Sequence, residues 1–464
     1  MSDLLLTHGY FLEEDAKEQQ IRKPYVPLGI LYICSHLRSR GFDVEVFDST
    51  FSSFEALAAR LGQGAPAVLG VYANLMTRKR VVRILEAAKQ AGWTTVVGGP
   101  EPGAYASEYL HAGADVVVVG EGERTMEELL PALREGSDAA LAQVDGIVFR
   151  DAAGAVRRTR ERAQIANLDG QPWPARDAVD IGRYLDTWRQ AHGRSSLSFI
   201  TARGCPYRCQ WCSHQVYGMS HRRRKPAAVV DEVEWLVTTY RPDMVWIADD
   251  VFTIHPGWLR EYAAEMRRRG LKIPFECISR ADRVNEEVAD LLSGLGCFRL
   301  WIGSESGSQR ILDRMQRGVT VAQVQAAISR CRERGIETGM FLMWGYEGEE
   351  VEDIEATIEH VKRSKPDIFF TTVSYPIKGT PYYERISRSL VEIRPWKESS
   401  DRELQVRGRR PPEFYEGVDR LLKDEMAFDR MSGEESRGPE GTALRSRIQL
   451  LRDALHREPG AVRP

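Results

Sequence analysis

Short apolar runs alternate with amphipathic stretches through the first 149 residues, the pattern of a parallel sheet whose strands are separated by helices. Strands are expected over residues 4–7, 44–47, 67–72, 94–97 and 116–119. A helix is expected over 29–39, because Ile30, Leu31, Ile33, Cys34 and Leu37 recur at helical spacing. Further helices are expected over 54–61 and 79–90, with one more ahead of residue 116. Two strands run out into Gly98-Gly99-Pro100 and Gly120-Glu121-Gly122. That arrangement suits a doubly wound, Rossmann-like fold, whose ligands sit beyond the carboxyl ends of the strands. Residues 146–149 add an expected edge strand, and residues 1–149 form a first domain.

Residues 150–194 are rich in Arg, Asp and Pro, including Pro172-Trp173-Pro174, and read as a linker over the surface. A second α/β series occupies 195–390. Its strands are expected at 197–201, 244–248, 275–279, 298–303, 339–344 and 369–374, with helices at 227–239, 319–334 and 350–363. Six such units fall short of an eight-stranded barrel, so a partial (β/α)6 barrel is expected. Residues 391–464 form a charged helical extension, with helices over 412–428 and 444–457 and a Gly/Glu/Ser-rich break at 432–441.

Composition adds limits. The 64 basic and 67 acidic residues nearly cancel, which argues against a general nucleic-acid or membrane-surface binder. No apolar run reaches the ~18 residues of a membrane span. The opening Met1-Ser2-Asp3 lacks the basic end of a secretory signal, so a cytoplasmic enzyme is expected. The seven cysteines are too few and too scattered for a disulfide framework. Cys34, Cys277, Cys297 and Cys331 sit in apolar or helical surroundings and read as small buried hydrophobes.

The other three cysteines need a chemical reason. In Thr201-Ala-Arg-Gly-Cys205-Pro-Tyr-Arg-Cys209-Gln-Trp-Cys212 a strand delivers three thiols to one short loop. Thiolates are the soft ligands iron–sulfur clusters require, and C-x3-C-x2-C lets one loop meet three irons and leave the fourth free. Arg203 and Arg208 add positive charge that favours thiolate. A zinc knuckle would need a fourth ligand, and neither His214 nor His221 stands at a familiar zinc spacing.

On these residues the chain resembles the radical S-adenosylmethionine (SAM) superfamily: the three cysteines match its CxxxCxφC motif, with Trp211 at the aromatic position. With the N-terminal sheet, the resemblance narrows to members carrying a cobalamin-binding-type domain. Phrases typical of that group are Lys23-Pro-Tyr-Val-Pro-Leu-Gly29, Gly98-Gly-Pro100, Gly120-Glu-Gly-Glu123 and Tyr375-Pro-Ile-Lys-Gly-Thr-Pro381. The resemblance implies a [4Fe–4S] cluster on Cys205, Cys209 and Cys212, with SAM on the open iron. One electron then yields a 5′-deoxyadenosyl radical that takes hydrogen from a C–H bond, and the protein supplies orientation and shielding.

It further implies SAM contacts at strand ends. Asp249 and Asp250 would accept from the amino group, Ser279 and Arg280 would hold the carboxylate, Glu305 the ribose, and Gly345 would border the adenine. Each also has an ordinary role as a strand-end cap or solvated acid. Cobalamin domains with an axial histidine carry D-x-H-x-x-G, whereas Leu6-Thr7-His8-Gly9-Tyr10-Phe11 lacks both the Asp and the final Gly. His8 therefore reads as a loop residue, and occupancy by cobalamin stays open.

Glu101 follows Gly98-Gly99-Pro100 where many relatives have histidine, and at a site mouth it would favour a cationic substrate such as an amino sugar. Tyr217, five residues past Cys212, would face the substrate as a proton donor, or simply pack. Arg222-Arg223-Arg224-Lys225 reads as a solvated helix start able to attract a reductant such as flavodoxin. Three functions follow. The first is a radical SAM dehydratase of an amino sugar, as in aminoglycoside antibiotic biosynthesis, favoured by Glu101, by the acidic first loop Phe11-Leu-Glu-Glu-Asp15 and by the incomplete histidine motif. The others are a cobalamin-dependent C-methyltransferase or cyclase, and a non-enzymatic iron–sulfur or zinc-binding module.

Overall fold

The computed structural model describes residues 2–63 and 67–457; Met1, 64–66 and 458–464, which the expected domain spans include, lie outside the described residues. The first sheet comprises β1 (Leu4–His8), β2 (Val44–Val46), β3 (Val68–Tyr72), β4 (Thr94–Gly98), β5 (Val116–Val118), β6 (Ile147–Arg150) and β7 (Val156–Arg158). Its order is β2-β1-β3-β4-β5-β6-β7. The first five strands are parallel; β6 and β7 are antiparallel additions.

Successive strand side chains point to opposite faces, and both faces are buried here, so the strands read as unbroken apolar runs. Leu5, Leu69, Val71, Val97 and Val117 face the helix Arg78–Gln90. Leu4, Leu6, Val96, Val116 and Val118 face the helices Leu28–Ser39 and Gly122–Glu135. The last of these helices has no counterpart in the sequence reading. Its opening glycine and the interior Pro131 obscure an amphipathic pattern carried by Met126, Leu129 and Leu130.

The 150–194 stretch differs from a surface linker in two ways. It supplies β7, which displaces β6 from the edge position expected for it. It also holds the helix Ile181–His192, whose Ile181, Tyr184, Leu185 and Trp188 are buried. That spacing is helical, and the signal was hidden by the surrounding Arg, Asp and Pro.

The second sheet opens with β8 (Ser196–Phe199), and the cysteine loop after it is bracketed by a separate short antiparallel pair, β9 (Ala202–Arg203) and β10 (Arg222–Arg223). The sheet continues with β11 (Met244–Ile247), β12 (Phe275–Ser279), β13 (Cys297–Glu305), β14 (Glu337–Trp344) and β15 (Ile368–Val373). The order β15-β14-β13-β12-β11-β8 is wholly parallel, and β8 and β15 are edges, so six strands make an open partial barrel. Leu197, Phe199, Val245, Ile247, Leu300, Ile302, Met340 and Leu342 point outward into the helix-covered core. Cys277, Cys297 and Cys331 are buried in that core and Cys34 in the N-terminal one.

The helices Pro412–Arg430 and Pro439–Leu455 continue the second core through Val418, Leu421, Leu422, Leu444 and Ile448. Between barrel and helices, the chain returns to the N-terminal domain. The Arg78 guanidinium donates to Asp401 Oδ1 (2.6 Å) and to the Ser399 carbonyl (3.2 Å), and Tyr105 donates to the same Asp401 oxygen (2.6 Å).

Candidate functional site

β8 ends at Phe199, and the chain passes through Thr201 into the cysteine loop. Asp249, beyond the end of β11, holds that passage. Its carboxylate accepts from Thr201 N (2.7 Å), Thr201 Oγ1 (2.5 Å), Ala202 N (3.1 Å) and the Arg223 guanidinium (2.8 Å). Gly204 then turns at φ +83°, and a Cβ there would lie 2.1 Å from the Ser220 carbonyl oxygen, so only glycine fits. The loop is pinned at its far side by Gln210 N donating to Met315 O (3.1 Å) and Tyr382 N donating to Gln210 O (2.9 Å).

Cys205, Cys209 and Cys212 are free thiols on this loop. The Arg317 and Arg280 guanidinium groups approach Cys209 Sγ at 3.6 and 3.8 Å. A hydrogen bond from Cys212 and these two cations hold the Cys209 thiol well below its ordinary range, while the same bond and burial raise Cys212. Three sulfurs on one loop, one of them poised as thiolate, is a donor set that fits an iron–sulfur cubane. The cations differ from those expected. Arg208 is exposed, and Arg203 is consumed elsewhere, whereas Arg317, a loop residue without a sequence signature, stands at the sulfur.

The remaining strand-end residues separate into used and available groups. Asp249, expected to receive the SAM amino group, already accepts four protein donors and is 2% exposed, so its role is to anchor the loop. Asp250 opens onto a cavity, and burial with Asp249 beside it raises its carboxyl above the ordinary range. Ser279 shares a hydrogen bond with Thr253 (2.5 Å) and is buried. Arg280, expected at the SAM carboxylate, instead spans Cys209, the Arg317 carbonyl (2.8 Å) and Asp282 (2.9 Å), and lies 3.7 Å from the Tyr207 ring centroid. Glu305 adopts φ +63° where the β13–β14 register shifts; burial pushes its carboxyl up to about 7, opposed by Arg317. Gly345 turns at φ +67° with Tyr415 of the C-terminal helix 2.8 Å from where a Cβ would stand, and its N–H donates to Glu349 (2.6 Å).

A cavity of about 360 Å³ lies between the carboxyl edge of the first sheet and the cysteine loop. Gly98, Gly99 and Gly120 form one wall, and Ser213 to Gly218 with Asp250 form another. Tyr217 faces this cavity, with burial raising its hydroxyl to about 12. A second cavity of about 580 Å³ adjoins it, sharing Gly29, Ile30 and Tyr72. Glycine along the floor keeps side chains out of a broad slot, which fits a large flat cofactor.

Glu101 is not at this mouth. It is buried, accepts from Arg78 Nε (2.6 Å) and Tyr109 (2.7 Å), and neighbours Asp401, so its charge is spent in an internal network. Besides Asp250, the acids that reach the cavity are Glu121 and Glu123, and these two are paired. Arg203 donates to Glu121 (2.7 Å) and Glu123 (2.6 Å), and Arg222 donates to Glu121 (2.7 Å), joining the first sheet to the cysteine loop. The basic run is likewise not a solvated helix start: Arg222 pairs with Glu121, Arg223 with Asp249 and Arg224 with Glu232. Lys225, at the N-terminus of the helix Pro226–Tyr240, is the one exposed member of the run. His8 is the last residue of β1 rather than a loop residue, and it uses both ring nitrogens, Nε2 with Asp48 (3.1 Å) and Nδ1 accepting from Tyr10 N (3.2 Å).

Residues 199–361 match the profile of the Radical SAM superfamily, and residues 20–130 that of the B12 binding domain. The chain combines a radical SAM domain with a B12-binding domain ahead of it. It is a radical SAM enzyme, and its cofactors include the [4Fe–4S] cluster and SAM. An uncharacterised methyltransferase of Pyrococcus horikoshii is 29% identical, over 80% of this chain and 81% of that protein. The anaerobic magnesium-protoporphyrin IX monomethyl ester cyclase of Rubrivivax gelatinosus is 26% identical, over 75% of this chain and 64% of that protein. The radical SAM methyltransferase TsrM of Kitasatospora setae, solved with cobalamin and a [4Fe–4S] cluster, shares the fold at a TM-score of 0.71. Its identity is 20%, over 98% of this chain and 99% of that chain. Among the described residues no helix is long and apolar enough to cross a membrane.

Proposed function

We propose that this chain is a cobalamin-dependent radical SAM enzyme that transfers a methyl group to carbon in a small-molecule substrate. The observation that carries the reading is the shared chamber. One cavity is bounded by the glycine-bearing strand ends of the B12-binding sheet and by the segment directly following the cysteines. Two cofactors facing one space suit methyl transfer, and curated relatives are named as methyltransferases or cyclases. The amino-sugar dehydratase reading loses one of its supports, because Glu101 is neutralised inside the protein.

Cobalamin would supply a methyl carrier and the cluster with SAM a carbon-centred radical. Cys205, Cys209 and Cys212 would hold the cluster, with Arg280 and Arg317 maintaining Cys209 as thiolate. Asp250 would receive the SAM amino group, and Glu305 would border its ribose. Gly98, Gly99 and Gly120 keep the slot open. Tyr217, held protonated, would present a neutral hydroxyl to substrate.

The test is anaerobic reconstitution of protein produced with cobalamin, followed by cobalt analysis and SAM turnover. Stoichiometric, tightly held cobalt with release of both S-adenosylhomocysteine and 5′-deoxyadenosine is expected. Cys205→Ala, Cys209→Ala and Cys212→Ala should each abolish the 5′-deoxyadenosine. Cobalt-free protein that releases 5′-deoxyadenosine alone would refute methyl transfer and restore dehydration.

A further inference from the structure

The inner face of the barrel carries aromatic side chains that the cofactor site does not use. Outward positions on β13 and β14 are filled by Leu300, Ile302, Met340 and Leu342, so the alternating residues Trp301 and Phe341 point inward, joined by Phe370 on β15. Trp301 lies 5.2 Å from Phe341 and 5.4 Å from Phe370 between ring centroids, with planes inclined by only 17° and 13°. Phe341 and Phe370 are 6.4 Å apart at 21°. At these separations the three rings are offset-stacked into a stepped shelf in which Trp301 is 8% exposed and Phe341 and Phe370 carry the open face.

Gly339 explains how the shelf lies so close to the strands. A Cβ at that position would fall 2.1 Å from the Trp301 ring, so the indole rests on bare backbone. The indole N–H is satisfied by Glu276 (2.9 Å), which leaves the ring faces apolar. Phe370 is 56% exposed on this face, an unusual placing for a phenylalanine in a barrel strand.

One end of the shelf is basic. Arg299 bridges Glu276 (3.4 Å) and Glu337 (2.6 Å) and lies 5.7 Å from the Trp301 ring. Arg194 sits over Phe298 at 4.7 Å, and Lys23 over Trp188 at 5.5 Å. Among the described residues neither Arg194 nor Lys23 has a carboxylate within ion-pair distance. Three cations thus face two carboxylates, Glu276 and Glu337. Burial, with Arg299 and Arg194 nearby, lowers the Lys23 ammonium, a cost that an added anion would relieve.

We infer that the substrate is a flat conjugated ring system bearing a carboxylate, stacked on Phe341 and Phe370 beside the buried Trp301, with its anionic end toward Arg299, Arg194 and Lys23. This rests on the reading of the chain as an enzyme acting on a small molecule within this barrel. Parallel rings reward a planar partner through offset stacking, and a sugar or flexible chain would gain little from them. The surplus cation selects charge rather than shape.

The test uses full-length, cluster-loaded protein under anaerobic conditions, titrated with pyrenebutyrate, its methyl ester and glucosamine by fluorescence and calorimetry. Saturable one-site binding of pyrenebutyrate is expected, with the ester about fivefold weaker and glucosamine not saturating. Phe370→Ala should weaken pyrenebutyrate about fivefold while iron content and melting temperature hold. Arg299→Gln should erase the difference between acid and ester. Pyrenebutyrate binding no better than glucosamine, or binding unaffected by Phe370→Ala, would overturn the inference. So would a Phe370→Ala protein that sediments as a smaller species, since a second copy would then cover the shelf. Binding is read without turnover, so failed methyl transfer with intact binding would count against the reaction and leave the substrate class standing.

Discussion

Asp249→Ala and Asp250→Ala, adjacent substitutions of identical chemistry, are expected to fail in different ways. The Asp249 carboxylate accepts four hydrogen bonds, at 2.5–3.1 Å, and its side chain and that of Arg223 are nearly sealed from solvent. Removing it leaves a buried guanidinium uncompensated, which costs about 3–5 kcal/mol. Arg223 already has Nε and Nη1 without partners, so nothing nearby replaces the lost acceptor. At about 2–4 °C per kcal/mol for a unit of this size, the barrel transition should fall by roughly 10 °C. Hydrogen exchange through residues 201–204 should rise, and cluster loading should drop because the loop is no longer anchored. Asp250 anchors nothing of this kind; it faces the cavity. Asp250→Ala should melt within about 1–2 °C of the parent, surface-facing changes being worth ~0.5 kcal/mol or less, and load its cluster normally. Its defect should appear in SAM affinity, read by calorimetry on the cluster-loaded protein. An Asp249→Ala protein that melts normally but has lost SAM affinity would show that the anchoring argument is wrong.

Two further outcomes follow from the same geometry. Gly345→Ala places a methyl 2.8 Å from the Tyr415 ring at a φ of +67°, and should raise hydrogen exchange across 412–430 as that helix is pushed off the barrel end. Unchanged exchange there would mean the helix does not seat against β14. His360, buried and hydrogen-bonded to Ser304 (3.0 Å), is depressed to about 4 by burial. Its folded value lies below its unfolded one, so the stability it permits is full above about pH 6.5 and is lost as pH falls toward 4, about 3 kcal/mol in all. His360→Gln should flatten that acid limb in melting curves between pH 6.5 and 4.5; an unaltered limb would assign it to other groups.

Much of the architecture was legible along the chain, because strand alternation and helical spacing are set by neighbouring residues. The six barrel strands and five parallel N-terminal strands fall where their apolar runs place them. Misses have local causes. Pro131 and paired glycines masked the helix Gly122–Glu135, and charged surroundings masked the buried face of Ile181–His192. The cysteine loop was legible for a related reason: a cubane needs three thiols within reach of one loop, and spacing alone expresses that.

What spacing cannot express is whether a charged group is already spent. Glu101 reads as an open acid, yet Arg78, 23 residues earlier, and Tyr109 consume it, within reach of an Asp401 that is 323 residues from Arg78. Asp249 and Asp250 are alike in sequence, and only the folded position of Thr201 and Arg223 divides anchor from available acid. Arg317 reaches Cys209 across 108 residues, and rings from three strands stack together, with Trp301 resting on Gly339. The sequence alone determined the class of fold and the three-cysteine loop, since both depend on residues close along the chain. The tertiary structure decided which charges are neutralised and which surfaces remain to meet a ligand, because burial and pairing are settled between elements that the chain keeps far apart.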